Sequence, residues 1–141
     1  MKRDVLLDLD TIRRRVESLA QQIGAPPHLL PTYGLAHDAA QPYIEINRDG
    51  YHYGMVERGE ELERRTTHDP QRLLYWIFVD VTFGMAAAYE AHHRVPDQDS
   101  RRLLFNHQLE LLGQLDAAWK AWQTAEIDLI LKHFPYEDRA E

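Results

Sequence analysis

The chain has 141 residues, of which 44% are hydrophobic and 28% charged, and its formal net charge is −7. This length and composition predict one domain, residues 1–141, that can bury a sizeable core. Cysteine is absent, which excludes disulfide bonds, thiolate metal sites and a cysteine nucleophile. The acidic balance disfavours nucleic acid as a partner and favours a basic surface, because the phosphate backbone is itself negative.

The amino-terminal part of the chain is predicted to be helical. The opening sequence MKRDVLLDLD lacks the apolar core of a signal peptide, so we expect a cytoplasmic protein. From Leu9 to Gly24 apolar residues recur on one helical stripe, with Asp10 as the amino-terminal cap and Gly24 at the end. The proline-rich residues 25–42 that follow are predicted to form a surface loop.

Residues 43–66 change from helical periodicity to alternation, which predicts antiparallel strands. Asp49-Gly50 indicates a two-residue hairpin turn, because both positions of that turn need a positive φ. A turn centred there pairs Ile46 with Tyr53. It also separates the side chains into an apolar face with Ile44, Ile46, Tyr53 and Met55, and a second face with Glu45, Asn47, His52 and Gly54.

A third strand is predicted after a turn at Gly59, over residues 61–66. Leu62 is its only strongly apolar residue, and its charges are typical of a protected sheet edge. Together these segments predict a three-stranded antiparallel β-meander.

A core helix is predicted next, opened by Asp69 as cap and Pro70 at the first helical position, and running to about His93. Residues 73–89 are apolar on every side of the helix, which is typical of a buried helix. The segment reaches the lower limit of membrane-spanning length, but Asp80 at its centre disfavours a span.

Two more helices complete the predicted fold. One runs from about Asp99 to Leu112 and ends at Gly113, and Asp116 caps the last, whose apolar stripe also carries Glu126. The predicted fold class is therefore α+β, with an N-terminal helix, a three-stranded antiparallel β-meander and then three packed α-helices.

Three carboxylates on these helices are candidates for chemistry or for structural pairing: Asp80, Glu90 and Glu126. Burial would raise their pKa values toward those useful for acid–base catalysis. Buried acids also anchor one helix to another through arginine, and Arg72, Arg101 and Arg102 are available. We expect them to be buried polar anchors, with no catalytic residues.

The spacing of Glu90 and His93 gives the main alternative. Glu-x-x-His places both side chains on one helical face, as in di-iron bundles. A second such motif is missing from the sequence, so no metal or other cofactor is expected. A small helical metal-binding protein or enzyme using Glu90 and His93 remains the alternative function.

The order and spacing of hydrophobic and acidic positions resemble a known family. The segments that carry the resemblance span residues 51–138 and read YHYGMVERGEELERRTT, LLYWIFVDVTFGMAAAYE, HHRVPDQDSRRLLFNHQLELLGQL and FPYED. They are similar to the immunity protein 63 family of bacterial polymorphic toxin systems. The family's recurrent acids and aromatics correspond here to Tyr75, Trp76, Asp80, Tyr89, Glu90, Asp99, Arg101 and Arg102.

The resemblance implies a non-catalytic, cytoplasmic protein that binds a cognate toxin domain and occludes it. Its partner would be that protein, with no nucleic acid and no membrane involved. The densest acids lie on the hairpin, which predicts the binding surface there, at Tyr43, Glu45, His52, Glu57, Glu60, Glu61 and Glu63. The alternative surface is the carboxyl-terminal end of the helices, with Glu90, Asp97, Asp99, Tyr136, Glu137 and Asp138.

Overall fold

The structure is a computed structural model that describes residues 5–34, 41–58 and 60–139. In these ranges the chain forms four α-helices and one mixed four-stranded sheet, which confirms the α+β class. The chain divides into two compact units between Ile77 and Phe78. The first unit holds the first helix and the sheet, and the second holds the last two helices. That the whole chain acts as one domain stays a prediction.

Helix α1 spans Leu9–Ile23 and buries Ile12, Val16 and Ala20 on the predicted stripe. Its amino-terminal cap is Asp8 and not Asp10, because the Asp8 carboxylate accepts a hydrogen bond from the Thr11 N–H at 2.8 Å. Asp10 lies in the first turn and pairs with Arg13. The helix ends as predicted at Gly24, which has a φ of 66° and therefore the left-handed conformation that glycine adopts without strain.

The predicted surface loop after α1 contains regular structure. A 3₁₀ turn at Pro27–Leu29 leads into strand β1, Thr32–Tyr33, which pairs in parallel with strand β2, Pro42–Asn47. Prolines hide such a short strand from pattern analysis, since they favour both loops and edge strands. Part of the predicted loop, residues 35–40, lies outside the described residues.

Strands β3, Gly50–Glu57, and β4, Glu60–Thr67, complete a sheet of order β1-β2-β3-β4. The predicted antiparallel meander is present as β2, β3 and β4. The prediction of three strands is wrong, because β1 adds a parallel edge. The position of β4 at the other edge is confirmed, and Gly59, the predicted turn residue, lies outside the described residues.

The hairpin turn falls at Arg48-Asp49, one residue earlier than predicted. Asn47 pairs with Gly50 and Ile44 with Tyr53, so the predicted register is wrong by two positions. The Asn47 side chain accepts a hydrogen bond from the Asp49 N–H at 2.8 Å, and Gly50 takes the positive φ, 127°. A shift of two positions leaves every side chain on its predicted face, because strand side chains alternate with period two.

Helix α2 spans Pro70–His92, with Asp69 capping it as predicted through a 2.9 Å hydrogen bond from the Gln71 N–H. By length and composition alone α2 could cross a membrane, but half of its most apolar window is buried inside the fold, as in a core helix. Ile77, Phe78 and Val81 are buried, in keeping with the predicted core helix, whereas Trp76 is only partly buried.

Helices α3, Ser100–Leu115, and α4, Ala117–His133, form most of the second unit. Helix α3 passes through Gly113, where a stop was predicted, and ends at Leu115, before Asp116, which caps α4 as predicted. The buried stripe of α4 consists of Trp119, Gln123 and Ile127. The predicted stripe was therefore rotated, which left Glu126 on the exposed side.

Candidate partner-binding surface

The far end of the β3–β4 hairpin carries a cluster of acidic residues that we call the acidic edge: Glu57, Glu60, Glu61 and Glu63. All four are exposed, and Leu62 between them is 56% exposed. Glu57 and Glu60 lie directly opposite each other in the sheet. Like charges facing each other across a strand pair destabilise a hairpin, so the facing Glu57 and Glu60 lower the stability of this sheet.

Two arginines of β4 balance this charge in part. Arg64 lies 3.4 Å from Glu45 and 3.7 Å from Glu61, and Arg65 lies 3.5 Å from Glu63. Within the described part of the chain, Glu57 and Glu60 have no cation within salt-bridge distance. The exposed ion pairs of Arg64 and Arg65 contribute little to stability, and the far end of the hairpin stays negative.

Tyr43 lies behind this edge, on the second face of the sheet, and is completely buried. Its ring occupies the space that a side chain on Gly54 would need, since a Cβ atom there would lie 2.8 Å from the Tyr43 hydroxyl. That hydroxyl has no hydrogen-bond partner. Burial raises the pKa of Tyr43, and the nearby Glu61 carboxylate adds to the effect. The ring therefore supports the sheet from inside.

His52 is the centre of a hydrogen-bonded group on the same face. Its Nδ1 lies 2.7 Å from the Thr66 hydroxyl and its Nε2 lies 2.8 Å from the Asn47 side-chain oxygen. Since the amide oxygen can only accept, Nε2 carries the proton and Nδ1 accepts from Thr66. Burial lowers the pKa of His52, and the Arg64 charge lowers it further. At neutral pH the ring is therefore uncharged.

The predicted contact residues thus fall into two groups. Tyr43 and His52 were expected on the binding surface, but they are 0% and 4% exposed, so their predicted role as direct contacts is wrong. From the sequence alone, aromatic and polar residues on one face of a sheet are expected to be exposed. The ring of Tyr43 is instead packed against the sheet, because Gly54 has no side chain in the space that the ring occupies. Glu45 is partly exposed, and the acidic edge is fully available. Arg64, which lies 3.4 Å from Glu45, was not among the predicted contact residues.

Of the three predicted buried anchors, only Glu90 is buried, at 6% exposed. Its two carboxylate oxygens accept hydrogen bonds from the Arg94 Nε and Nη2, both at 3.1 Å. The expected partners were Arg72, Arg101 and Arg102, so the choice of arginine was wrong. Glu90 and Arg94 are four residues apart, a spacing that places them together on a helix and that the sequence already shows.

Asp80 and Glu126 were also predicted to be buried, and both are exposed. Helix α2 is apolar on every side in sequence, yet Phe83, one turn after Asp80, is 49% exposed. One face of this helix is therefore left uncovered, and Asp80 lies on it. A count of apolar residues around a helix cannot tell which side its neighbours cover.

The geometry around Glu90 does not favour the metal-binding alternative. Arg94 engages both Glu90 oxygens, and the His93 Nδ1 lies 2.9 Å from the Tyr89 carbonyl oxygen. Tyr89 stacks between His93 and His107, at centroid distances of 4.1 and 3.9 Å. In residues 5–34, 41–58 and 60–139, no three side chains of metal-binding type come together.

The alternative surface at the end of the helices is largely occupied by internal contacts. Asp99 accepts hydrogen bonds from the Arg101 Nη2 and from the Glu137 N–H, each at 2.8 Å. Arg101 also donates to the carbonyl oxygens of Phe134 and Pro135, each at 2.8 Å. The Arg101 hydrogen bond holds the pKa of Asp99 well below its usual value. These contacts fasten residues 134–139 to the start of α3.

Arg102 completes this attachment. Its Nε donates to both oxygens of Asp138 at 3.0 Å, and its guanidinium lies 4.1 Å from the Tyr136 ring centroid. Arg101 and the loop before α3 line a shallow cleft of about 980 Å³. Asp99, Arg101 and Arg102, three of the residues in the family pattern, are therefore used in internal contacts. Of the six residues predicted for the alternative surface, only Asp97 and Glu137 are exposed with side chains that make no hydrogen bond or ion pair within the described chain.

Comparison with known proteins gives one match. The sequence model of the immunity protein 63 family matches residues 47–129, which is more than half of the chain and includes the acidic edge, helices α2 and α3 and most of α4. No curated protein and no solved structure matches the chain. The expected resemblance is confirmed, and the chain belongs to the immunity protein 63 family.

Proposed function

We propose that this chain is a cytoplasmic immunity protein that binds a cognate toxin domain and blocks it by covering its surface, without catalysis. Family membership supports a toxin-neutralising role. Glu90, one of the three carboxylates that acid–base chemistry would use, is held instead by the Arg94 side chain, and Asp99 is likewise paired with Arg101. Such groups are occupied in the folded chain and act as structural pairs.

The observation that carries the proposal is the acidic edge. Its four exposed carboxylates lie at the far end of the β3–β4 hairpin, and among the described residues no cation forms a salt bridge with Glu57 or Glu60. Unbalanced charge on a surface steers a partner of the opposite sign and speeds association. Exposed Leu62 offers an apolar contact at the centre of the same surface.

The toxin surface that fits is basic. A toxin domain that acts on nucleic acid needs a basic cleft to hold the phosphate backbone, and an acidic hairpin inserted there would compete directly with the substrate. The nuclease assignment is by analogy, whereas the basic character follows from the charge of the edge. A neighbouring gene that encodes such a domain would identify the partner.

The test reverses the charge of the edge. In Glu57→Lys/Glu60→Lys/Glu61→Lys, the association rate with an inactivated toxin domain from the adjacent gene should fall about ten-fold or more. The matched control is Glu110→Lys/Glu126→Lys/Asp128→Lys on α3 and α4, where all three acids are exposed. It changes the net charge of the protein by the same amount.

Both variants should keep the melting temperature and circular dichroism of the wild type, because all six side chains are exposed. The wild-type association rate should also fall as salt rises, since screening weakens steering. Equal association rates for the two triple variants would remove the acidic edge as the binding surface. Failure of the wild type to bind or protect against the toxin would remove the proposed function itself.

A further inference from the structure

Among the described residues strand β4, Glu60–Thr67, is an edge of the sheet without proline or glycine, and its pairing with β3 is regular from Glu63 to Thr67, after a β-bulge at Leu62. The orientation of its backbone follows from contacts with β3. Cβ atoms placed on Gly50 and Gly54 would lie 2.7 and 2.5 Å from the carbonyl oxygens of Thr67 and Glu63, so those oxygens point toward β3. Backbone groups alternate along a strand, and the N–H and C=O groups of Arg64 and Thr66 therefore point away from the sheet.

The charges of this edge are divided along its length. Glu60, Glu61 and Glu63 occupy the first half, and Arg64 and Arg65 follow them. An edge with one sign of charge would repel a copy of itself, which is how charged edges prevent aggregation. An antiparallel copy of β4, by contrast, can place an acid of one copy opposite an arginine of the other.

The outward backbone groups restrict the register of such a pair, and the charges select among the registers that remain. Hydrogen bonds form when outward residues face each other, and of these registers the one in which Arg64 of one copy faces Arg64 of the other also places opposite charges together. Glu63 then lies opposite Arg65, and this pair occurs twice because a two-fold interface repeats each contact. The two central arginines are each accompanied by their own Glu45 and Glu61, which offsets their mutual repulsion.

We infer that β4 pairs with β4 of a second copy of this chain, which joins two four-stranded sheets into one through an antiparallel two-fold interface. Cross-strand pairs of opposite charge and exchanged backbone hydrogen bonds hold the two copies together. An edge of this length buries less than the roughly 1,000 Å² typical of stable interfaces, so the dimer is weak and dissociates on dilution. The inference does not depend on toxin binding.

The dimer has a consequence for the proposed function. Glu61 and Glu63 belong both to this interface and to the acidic edge, so a second copy and a toxin domain cannot occupy β4 together. The dimer would be a resting form that the toxin dissociates. A toxin domain should therefore shift the protein from dimer to a one-to-one complex.

The experiment is sedimentation velocity of the purified protein at concentrations up to about 1 mM, where a weak dimer is populated. The decisive variants are Thr66→Pro and Thr66→Val. Both remove the hydroxyl that contacts His52, but only proline also removes the outward N–H. We expect the dimer dissociation constant of Thr66→Pro to exceed that of Thr66→Val by about ten-fold or more, since each lost hydrogen bond is lost twice.

A charge variant keeps the inference testable if proline disturbs the fold. Glu63→Arg changes an exposed side chain and places arginine opposite Arg65, so it should also weaken the dimer at least ten-fold. A protein that stays monomeric at every concentration would overturn the inference. So would a dimer whose dissociation constant is unaffected by Glu63→Arg, because such a dimer would use another surface.

Discussion

Gly54 offers a sharp test of how the second face of the sheet is packed. In Gly54→Ala the added Cβ would lie 2.5 Å from the Glu63 carbonyl oxygen, 2.8 Å from the Tyr43 hydroxyl and 2.9 Å from its ring. Neighbours this close must move. The carbonyl belongs to the backbone of β4, and the ring is completely buried, so neither can move without loosening the strand pair.

The expected cost follows from these contacts. Overpacking a well-packed site by one methyl group costs about 1–3 kcal/mol, and for a chain of this size that lowers the melting temperature by roughly 3–10 °C. The free energy of unfolding is measured with urea and the melting temperature by circular dichroism. Because the buried ring of Tyr43 lies at the site, the near-ultraviolet circular dichroism of tyrosine should show the same loss of stability.

Gly113→Ala is the matched control. Gly113 lies inside helix α3, and a Cβ there would meet only the flexible end of the Lys120 side chain, at 3.0 Å. Alanine is the better helix former, so this variant should be unchanged or more stable by up to about 1 kcal/mol. The double variant Gly54→Ala/Tyr43→Phe should recover part of the loss, because it removes one crowded oxygen that has no hydrogen-bond partner. Wild-type stability in Gly54→Ala would refute the reasoning.

Two further predictions concern ionised groups. Because the pKa of His52 is lowered in the folded chain, the unfolded chain takes up a proton at a higher pH, and the free energy of unfolding should fall as the pH drops below about 6.5. In His52→Gln the free energy of unfolding should lack this part of its pH dependence. The same pH dependence in the wild type and in His52→Gln would contradict the lowered pKa of His52. Arg94→Met removes the hydrogen bonds to buried Glu90 and should cost about 1 kcal/mol or more, whereas adding a chelator to the wild type should leave its melting temperature unchanged; a drop on chelation would instead favour a metal at Glu90 and His93.

The sequence by itself determined the elements whose signals are local. The Asp69-Pro70 start of α2, the glycine stop at Gly24 and the cap at Asp116 depend on backbone groups within a few residues. The faces of the hairpin followed from alternation alone and survived an error in register. The family match depended on the order of such signals, and the position of the acids on the β4 edge could be read directly from their density.

Only the tertiary structure decided which side chains are covered. Strand β1 exists because β2 offers it a partner, and two residues between prolines carry no pattern of their own. Asp80 was expected to be buried and is exposed, and Tyr43 was expected on the surface and is buried. Burial depends on what packs against a face and not on the polarity of the residue. Tyr43 is inside because Gly54, eleven positions along the chain, lacks a side chain, and Asp80 is outside because one face of an apolar helix is left uncovered.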